Sequence, residues 1–320
     1  DIYFRRRNIG GVTSFLRDFD VDNDGENASE KWEHVINQLA EARAGYGIQS
    51  SESVRIRVER YHSFASSVIE KAEPGWWHSN FRNDEEFWGF YVPEKVEEIY
   101  SKGQLTEFYD VIIIDEGQDF YEDWFRTAEY SLNPDGKFYI FMDEFQNINF
   151  RCSRVPDEET FARVRLRENC RNTRRIAEKL TEIIGQDIPS MNGMVVGENV
   201  RIVKFENDTD QQKKILDLLK SLTGELMISP SKILVMLSTE YRYSCLAQTK
   251  KAGSLPFRKI SENGELSDDC INYSGISSFK GLEADIVLIT DTDKVNYDEK
   301  ILYTQASRAK SMLYVFEKIT

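Results

Sequence analysis

Two stretches of this 320-residue sequence end a run of apolar residues in acids and an amide. In the first, Val111-Ile112-Ile113-Ile114 runs into Asp115-Glu116-Gly117-Gln118-Asp119. A strand that stops on adjacent acids sets both carboxylates at the carboxyl edge of a sheet, where open α/β sheets bind ligands. Hydrolysing a nucleoside triphosphate takes one carboxylate to hold Mg²⁺ through its water shell. A second must orient or deprotonate the attacking water. Asp115 suits the metal and Glu116 the water, with Gln118 and Asp119 beside them. In the second stretch, Phe138-Tyr139-Ile140-Phe141-Met142 ends in Asp143, and Gln146 follows. A neutral amide beside a terminal phosphate can sense its presence. Taken alone, a strand-end Asp and Gln are also ordinary loop residues.

Three further elements carry basic residues. They are Leu166-Arg167-Glu168-Asn169-Cys170-Arg171-Asn172, then Ser278-Phe279-Lys280-Gly281-Leu282-Glu283, then Tyr303-Thr304-Gln305-Ala306-Ser307-Arg308-Ala309-Lys310. Arginines that face a nucleotide from a second domain stabilise charge on a transferring phosphoryl group. Each arginine by itself reads more simply as a surface side chain. The order of the elements is what sets them apart.

That order resembles the motif series of superfamily 1 helicases of the UvrD/PcrA/Rep kind. Asp115–Asp119 is similar to the family's D-E-x-Q-D. Met142–Asn149 resembles G-D-x-x-Q-x-I-Y, with Met142 in place of Gly. Leu166–Asn172 resembles L-x-x-N-Y-R-S, with Cys170 for Tyr and Asn172 for Ser. Lys280–Glu283 matches K-G-L-E, and Tyr303–Lys310 resembles Y-V-A-x-T-R-A-K with Ser307 for Thr. Upstream, Arg60-Tyr61-His62-Ser63-Phe64-Ala65 is similar to T-F-H-S-L-A. The resemblance implies two tandem RecA-like parallel-sheet domains that hydrolyse ATP, with Mg²⁺, at their interface while moving on single-stranded DNA or RNA. It implies catalytic roles for Glu116, Arg171 and Arg308, a metal role for Asp115, and nucleotide contacts for Gln118, Gln146, Lys280 and Glu283. Glu283 would approach the ribose, and His62 and Ser63 would lie near the single strand.

The family's G-x-x-x-x-G-K-S/T is absent. The only Gly-Gly pair, Gly10-Gly11, is followed by Val12-Thr13-Ser14 without a lysine. Backbone N–H groups and that lysine cradle the phosphates, so Mg-ATP should bind this chain weakly. The expectation is a first domain incomplete at its N-terminus, its phosphate loop lying on a strand before Asp1. About 110 residues separate Arg171 from Lys280, enough for one α/β domain but not for a large accessory domain as well. Translocation is therefore a better expectation than processive unwinding. Two alternatives stand beside the motor. One is a catalytically inactive helicase-like scaffold or nucleic-acid-binding subunit, working with a nuclease or another protein. The other is a phosphate-loop NTPase unrelated to nucleic acid.

The elements that position these residues follow from apolar spacing. Ile2–Phe4 reads as a strand, and the stretch to Phe19 and the Trp32–Leu39 region read as helices. Val54, Ile56 and Val58 alternate as a strand, and Ser63–Ala72 is helical. Residues 73–108, rich in aromatics and acids, read as an insertion or a helical pair. Val111–Ile114 is expected to be a central parallel strand covered on both faces, and Phe138–Met142 a second strand. The polar segment 151–160 reads as a linker, giving domains 1–155 and 156–320. In the second, Arg174–Ile184 is helical, while Ile233–Leu237, Ile286–Thr290 and Leu313–Phe316 are strands. Alternating strands and helices predict an α/β fold with parallel sheets.

Composition narrows the rest. The net charge of -14 argues against a surface that coats nucleic acid, though not against one basic groove. No apolar run reaches the ~18 residues of a membrane span. The four cysteines are scattered and only three histidines are present, so a zinc site is not expected and reduced thiols in a cytoplasmic protein are. Asp20–Lys31 opens like an EF-hand loop but has Lys31 where the bidentate Glu belongs, and reads as an acidic turn. Trp76, Trp77, Phe81, Phe87, Trp88, Phe90 and Tyr91 either stack bases or form a small aromatic core or protein contact. The surrounding acids favour the latter. Arg5–Arg7 reads as a solvated basic run.

Overall fold

The computed structural model describes residues 2–5, 57–148, 161–164, 168–260, 265–275, 283–294 and 298–319. The chain divides into two compact units, Asp1–Leu166 and Arg167–Thr320. The helices expected before residue 57, Gly10-Gly11, the EF-hand-like turn and the 151–160 linker lie outside the described residues.

The first unit opens on the expected strand, β1 (Ile2–Arg5). Val58, expected in a strand, sits instead in irregular backbone and is 70% exposed. The helix α1 (Tyr61–Ala72) forms where Tyr61, Ala65, Val68 and Ile69 recur at helical spacing, and all four are buried. After α2 (Trp76–Asn80), a π-helical turn (Phe87–Tyr91) runs into α3 (Val92–Ser101). Pro93 lies within continuous helical backbone, since Tyr91 before α3 is itself helical. Its missing N–H therefore frees a carbonyl in the preceding turn, where the Trp88 carbonyl accepts the Trp124 indole N–H at 2.7 Å. The wide turn brings Phe87 and Val92, five residues apart, into the core together. Phe90 and Tyr91, which α-helical spacing would set beside Phe87, are exposed. The residues of the aromatic segment that are buried share one core with α1 and Trp124.

Next come β2 (Tyr109–Ile114), α4 (Glu122–Tyr130), β3 (Leu132–Phe141) and β4 (Phe161–Val164). The sheet order is β2-β3-β1-β4. β2 and β3 are parallel, with Ile112 opposite Phe138 and Ile114 opposite Ile140. β1 is antiparallel to both β3 and β4, so this sheet is mixed where a parallel one was expected. Among the described strands β2 stands at the end of the sheet order beside β3, and Val111 is 48% exposed where a strand covered on both faces was expected. An apolar run announces a strand but not its place in the sheet. β4 lies beyond the expected boundary at 155, yet it pairs with β1 and so belongs to the first unit.

The second unit starts with α5 (Arg174–Ile184), closed by Gly185 at φ 65°. Then follow β5 (Arg201–Phe205), α6 (Asp208–Lys220), β6 (Ile233–Leu237), β7 (Lys251–Ala252), β8 (Leu255–Lys259) and β9 (Ile271–Gly275). The unit finishes with β10 (Ala284–Thr290), α7 (Glu299–Ala306) and β11 (Ala309–Lys318). Asn207 caps α6 by accepting the Asp210 N–H at 3.1 Å. The seven strands lie in the order β5-β11-β10-β6-β9-β8-β7, and every pair is parallel except β7 with β8. This is the α/β class the alternating pattern predicts. All five residues of β6 are buried, as a strand covered on both faces requires. Just past β10, the buried Asp291 adopts φ 60°. It accepts the Ser244 hydroxyl at 2.7 Å, the Cys245 N–H at 2.8 Å and the Thr290 hydroxyl at 3.0 Å. Among the described residues, no helix is long and apolar enough to cross a membrane.

Candidate functional site

β2 and β3 end side by side, and their last residues deliver the acids and amides singled out by sequence. Asp115 is exposed and accepts the Glu116 N–H at 2.9 Å. Glu116 is left-handed at φ 52°, ψ 43°, a conformation costing a non-glycine residue about 1–2 kcal/mol. Its carboxylate accepts the side-chain amide of Gln118, which is 1% exposed. The carbonyl oxygen of the same amide accepts the Asp143 N–H at 2.9 Å. The Asp143 carboxylate in turn accepts the Phe145 N–H at 3.0 Å and the Gln146 amide at 2.7 Å. Glu116, Gln118, Asp143 and Gln146 therefore form one hydrogen-bonded chain across two strand ends. Gln118, read as a nucleotide contact, has both ends of its amide engaged within this edge.

Gly117 occupies the variable position of the motif, and its role was missed from sequence. A Cβ there would stand 2.6 Å from Ile140 Cγ2 and 3.4 Å from the Phe141 carbonyl oxygen. Packing against β3 thus demands glycine, although no left-handed φ does.

His62 and Ser63 lie in the first turn of α1. Tyr61 stacks on Trp124 at 4.1 Å and shares a 2.9 Å hydrogen bond with Thr127; burial pushes its phenol above the ordinary range. His62 sets its ring edge-on against Trp88 at 4.3 Å and Trp124 at 5.1 Å, while Ser63 is exposed. The aromatic segment splits into two sets. Trp76, Trp77, Phe87 and Trp88 pack into the core, whereas Phe81, Phe90 and Tyr91 face solvent. Arg82 lies 4.7 Å over the Tyr91 ring and is ion-paired with Asp84 and Glu86.

In the second unit, three of the sequence elements come together. Asn169 Oδ1 accepts the N–H groups of Arg171 at 3.1 Å and Asn172 at 3.2 Å, fixing the turn. Asn169 also donates its amide to Asn172 Oδ1 at 2.9 Å. Asn172 Nδ2 donates to the carbonyl oxygens of Ser307 at 3.1 Å and Ala309 at 2.6 Å, on either side of Arg308. The Arg171 guanidinium pairs with Glu283, and Lys310 approaches the same carboxylate at 3.8 Å. Glu283, expected near a ribose, thus holds two cations here. Arg308 is 1% exposed, and its Nε donates to the Thr304 carbonyl oxygen at 3.1 Å. Lys280 lies outside the described residues.

Among the described residues, no group of three or more His, Cys, Asp or Glu is arranged to hold a metal ion. Mg²⁺ needs no such cage, since one or two carboxylates plus substrate phosphates suffice. Asp115, an exposed carboxylate at a strand end, is of the hard-oxygen type that suits it.

The chain is an α/β protein in which acids and amides of the first unit gather where β2 and β3 end, and Arg171, Arg308 and Lys310 of the second lie by the starts of β10 and β11. No family model matches the chain, and no curated protein does. Solved structures do. The chain is similar to the C-terminal domain of a possible DNA helicase from Lactobacillus plantarum WCFS1, with a TM-score of 0.36 and 19% identity, over 46% of this chain and 86% of that one. It is also similar to the PRRSV helicase, with a TM-score of 0.36 and 11% identity, over 64% of this chain and 34% of that one. The chain spans about a third of the viral helicase's length.

Proposed function

We propose that this chain is the core of an ATP-driven, Mg²⁺-dependent helicase or translocase of the superfamily 1, UvrD-like kind, acting on single-stranded nucleic acid. The observation that carries it is the hydrogen-bonded chain Glu116–Gln118–Asp143–Gln146 across neighbouring strand ends. It joins a residue suited to activating water to one suited to sensing a terminal phosphate. Support also comes from the second unit, where Arg171, Glu283 and the segment around Arg308 meet. Magnesium, when bound, would supply positive charge to offset that of the phosphates. Asp115 would hold it, and Glu116 would orient the attacking water and take its proton. Arg171 and Arg308 would neutralise charge on the phosphoryl group, with Lys280 and Glu283 completing the nucleotide contacts. His62 and Ser63 would lie near the single strand. The 320 residues contain no G-x-x-x-x-G-K-S/T, so on this reading the phosphate cradle comes from a further segment.

The test is ATP hydrolysis by the full-length native protein with Mg²⁺, with and without an oligo-dT single strand. Strand-stimulated turnover is expected. Glu116→Gln should lower it by about 10²–10⁴-fold while leaving nucleotide binding intact. Turnover indifferent to Glu116→Gln would remove the water-activating role. A full-length protein that binds no nucleotide would leave a helicase-like scaffold instead.

A further inference from the structure

We propose that Asn172 is a positioning residue that sets Arg308 for phosphoryl transfer and couples it to the loop carrying Arg171. This role rests on the hydrolase reading above. Asn172 is 4% exposed and all of its amide's bonds are directed. One side takes the Asn169 amide; the other gives both N–H bonds to the carbonyls that bracket Arg308. Ser307 is the C-cap of α7, where the carbonyl has no partner within the helix. Ala309 opens β11. The peptide carrying Arg308 is therefore clamped where a helix turns into a strand, with a donor on each side. Asn169 passes the constraint on, because its Oδ1 holds the Arg171 N–H. A second link, from the Thr173 N–H to the Lys310 carbonyl at 3.0 Å, keeps the two segments in register.

The chemistry explains why asparagine stands here. A serine, which the resembled motif carries at this place, has one O–H and can hold only one of the two carbonyls. An amide can bracket the arginine. A displacement of about 1 Å at a charge-stabilising group costs on the order of 10²-fold in rate, so a clamp on the backbone of Arg308 acts on turnover without touching substrate.

The experiment measures kcat and KM for ATP in the full-length protein with saturating oligo-dT, for Asn172→Ala, Arg308→Ala and the double variant. Asn172→Ala is expected to lower kcat about 10–100-fold with KM within about threefold. In the Arg308→Ala background it should add no further loss, since the group it positions is gone. Asn172→Ser, which keeps one donor, should recover part of the rate and serves as the comparison if Asn172→Ala does not fold. Losses that multiply in the double variant would show a merely structural role and overturn the proposal. So would an unchanged kcat accompanied by a lower melting temperature. A wild-type protein without turnover that Glu116→Gln removes defeats the hydrolase reading itself, and the Asn172 role with it.

Discussion

Gln118 accepts the Asp143 backbone N–H at 2.9 Å, tying the turn after β2 to the end of β3. The other end of the same amide holds Glu116, whose left-handed backbone needs support from its surroundings. The water-activating candidate is thus held in place from the neighbouring strand.

Gln118→Leu keeps much of the volume and removes both bonds. Because Gln118 is 1% exposed, the loss is expected to be about 1–3 kcal/mol of unfolding free energy. Urea denaturation of this chain measures it. A change under about 0.5 kcal/mol would mean the bridge contributes little beyond packing.

Gly117→Ala should destabilise the first unit even though the substitution adds one methyl group. Its Cβ would fall 2.6 Å from Ile140 Cγ2, and Ile140 is fully buried. Overpacking of this kind costs about 1–3 kcal/mol. A melting temperature equal to wild type would show that β3 yields freely.

Glu98 supplies a pH signature. Hydrogen bonds from Lys102 and then Lys95 hold its carboxyl at about 2, below its ordinary value. A depressed carboxyl stabilises the fold above its unfolded-state value, and that stabilisation is lost as pH falls toward 2. The gap in stability between wild type and Glu98→Gln should therefore be constant near neutrality, shrink as pH falls through the ordinary carboxylate range, and close only below about pH 2. The site is exposed, so the gap should be small and shrink further with salt. A gap at pH 2 as large as the one at neutrality would assign the effect to something other than charge.

The cysteines should differ sharply in reactivity. Cys170 is exposed, whereas Cys245 and Cys270 are buried. Burial first, and the nearby Asp291 second, push the Cys245 thiol far above its ordinary range. Iodoacetamide at pH 8 followed by peptide mapping should label Cys170 and spare Cys245 and Cys270 until the protein unfolds. Labelling of native Cys245 at the rate of Cys170 would contradict its place under Asp291.

In the second unit β6, β10 and β11 were legible because each holds a continuous apolar run, whereas β5, β7, β8 and β9 mix polar residues in and went unread. Ile233–Leu237 could hardly be anything but a buried strand. The same logic expected Val111–Ile114 to be covered on both faces, yet Val111 is exposed; composition marks a strand, while its place among the described strands is set by pairing elsewhere in the chain. β4 escaped notice because its four residues, Phe161-Ala162-Arg163-Val164, carry too little pattern to register. At the site, Asp115, Glu116, Asp143 and Gln146 were readable because strand ends announce themselves. Asn172 registered only as a departure from serine, since its partners lie 135 and 137 residues away. No spacing rule reaches that far. Nor could spacing show that Arg171 and Glu283, both assigned to a nucleotide, pair with each other.

The direction of β1 has its own consequence. Ile2 lies across from Phe141 and Phe4 across from Tyr139, so the chain travels away from Asp143 as it passes through the sheet. At about 3.3 Å per residue it emerges roughly 15 Å from the acidic edge. A strand that hands its next loop and helix N-terminus straight to Asp115 and Asp143 has to run the other way, alongside β2 and β3. The sheet therefore has two unlike rims: the carboxylates stand on one, and β1 ends at the other.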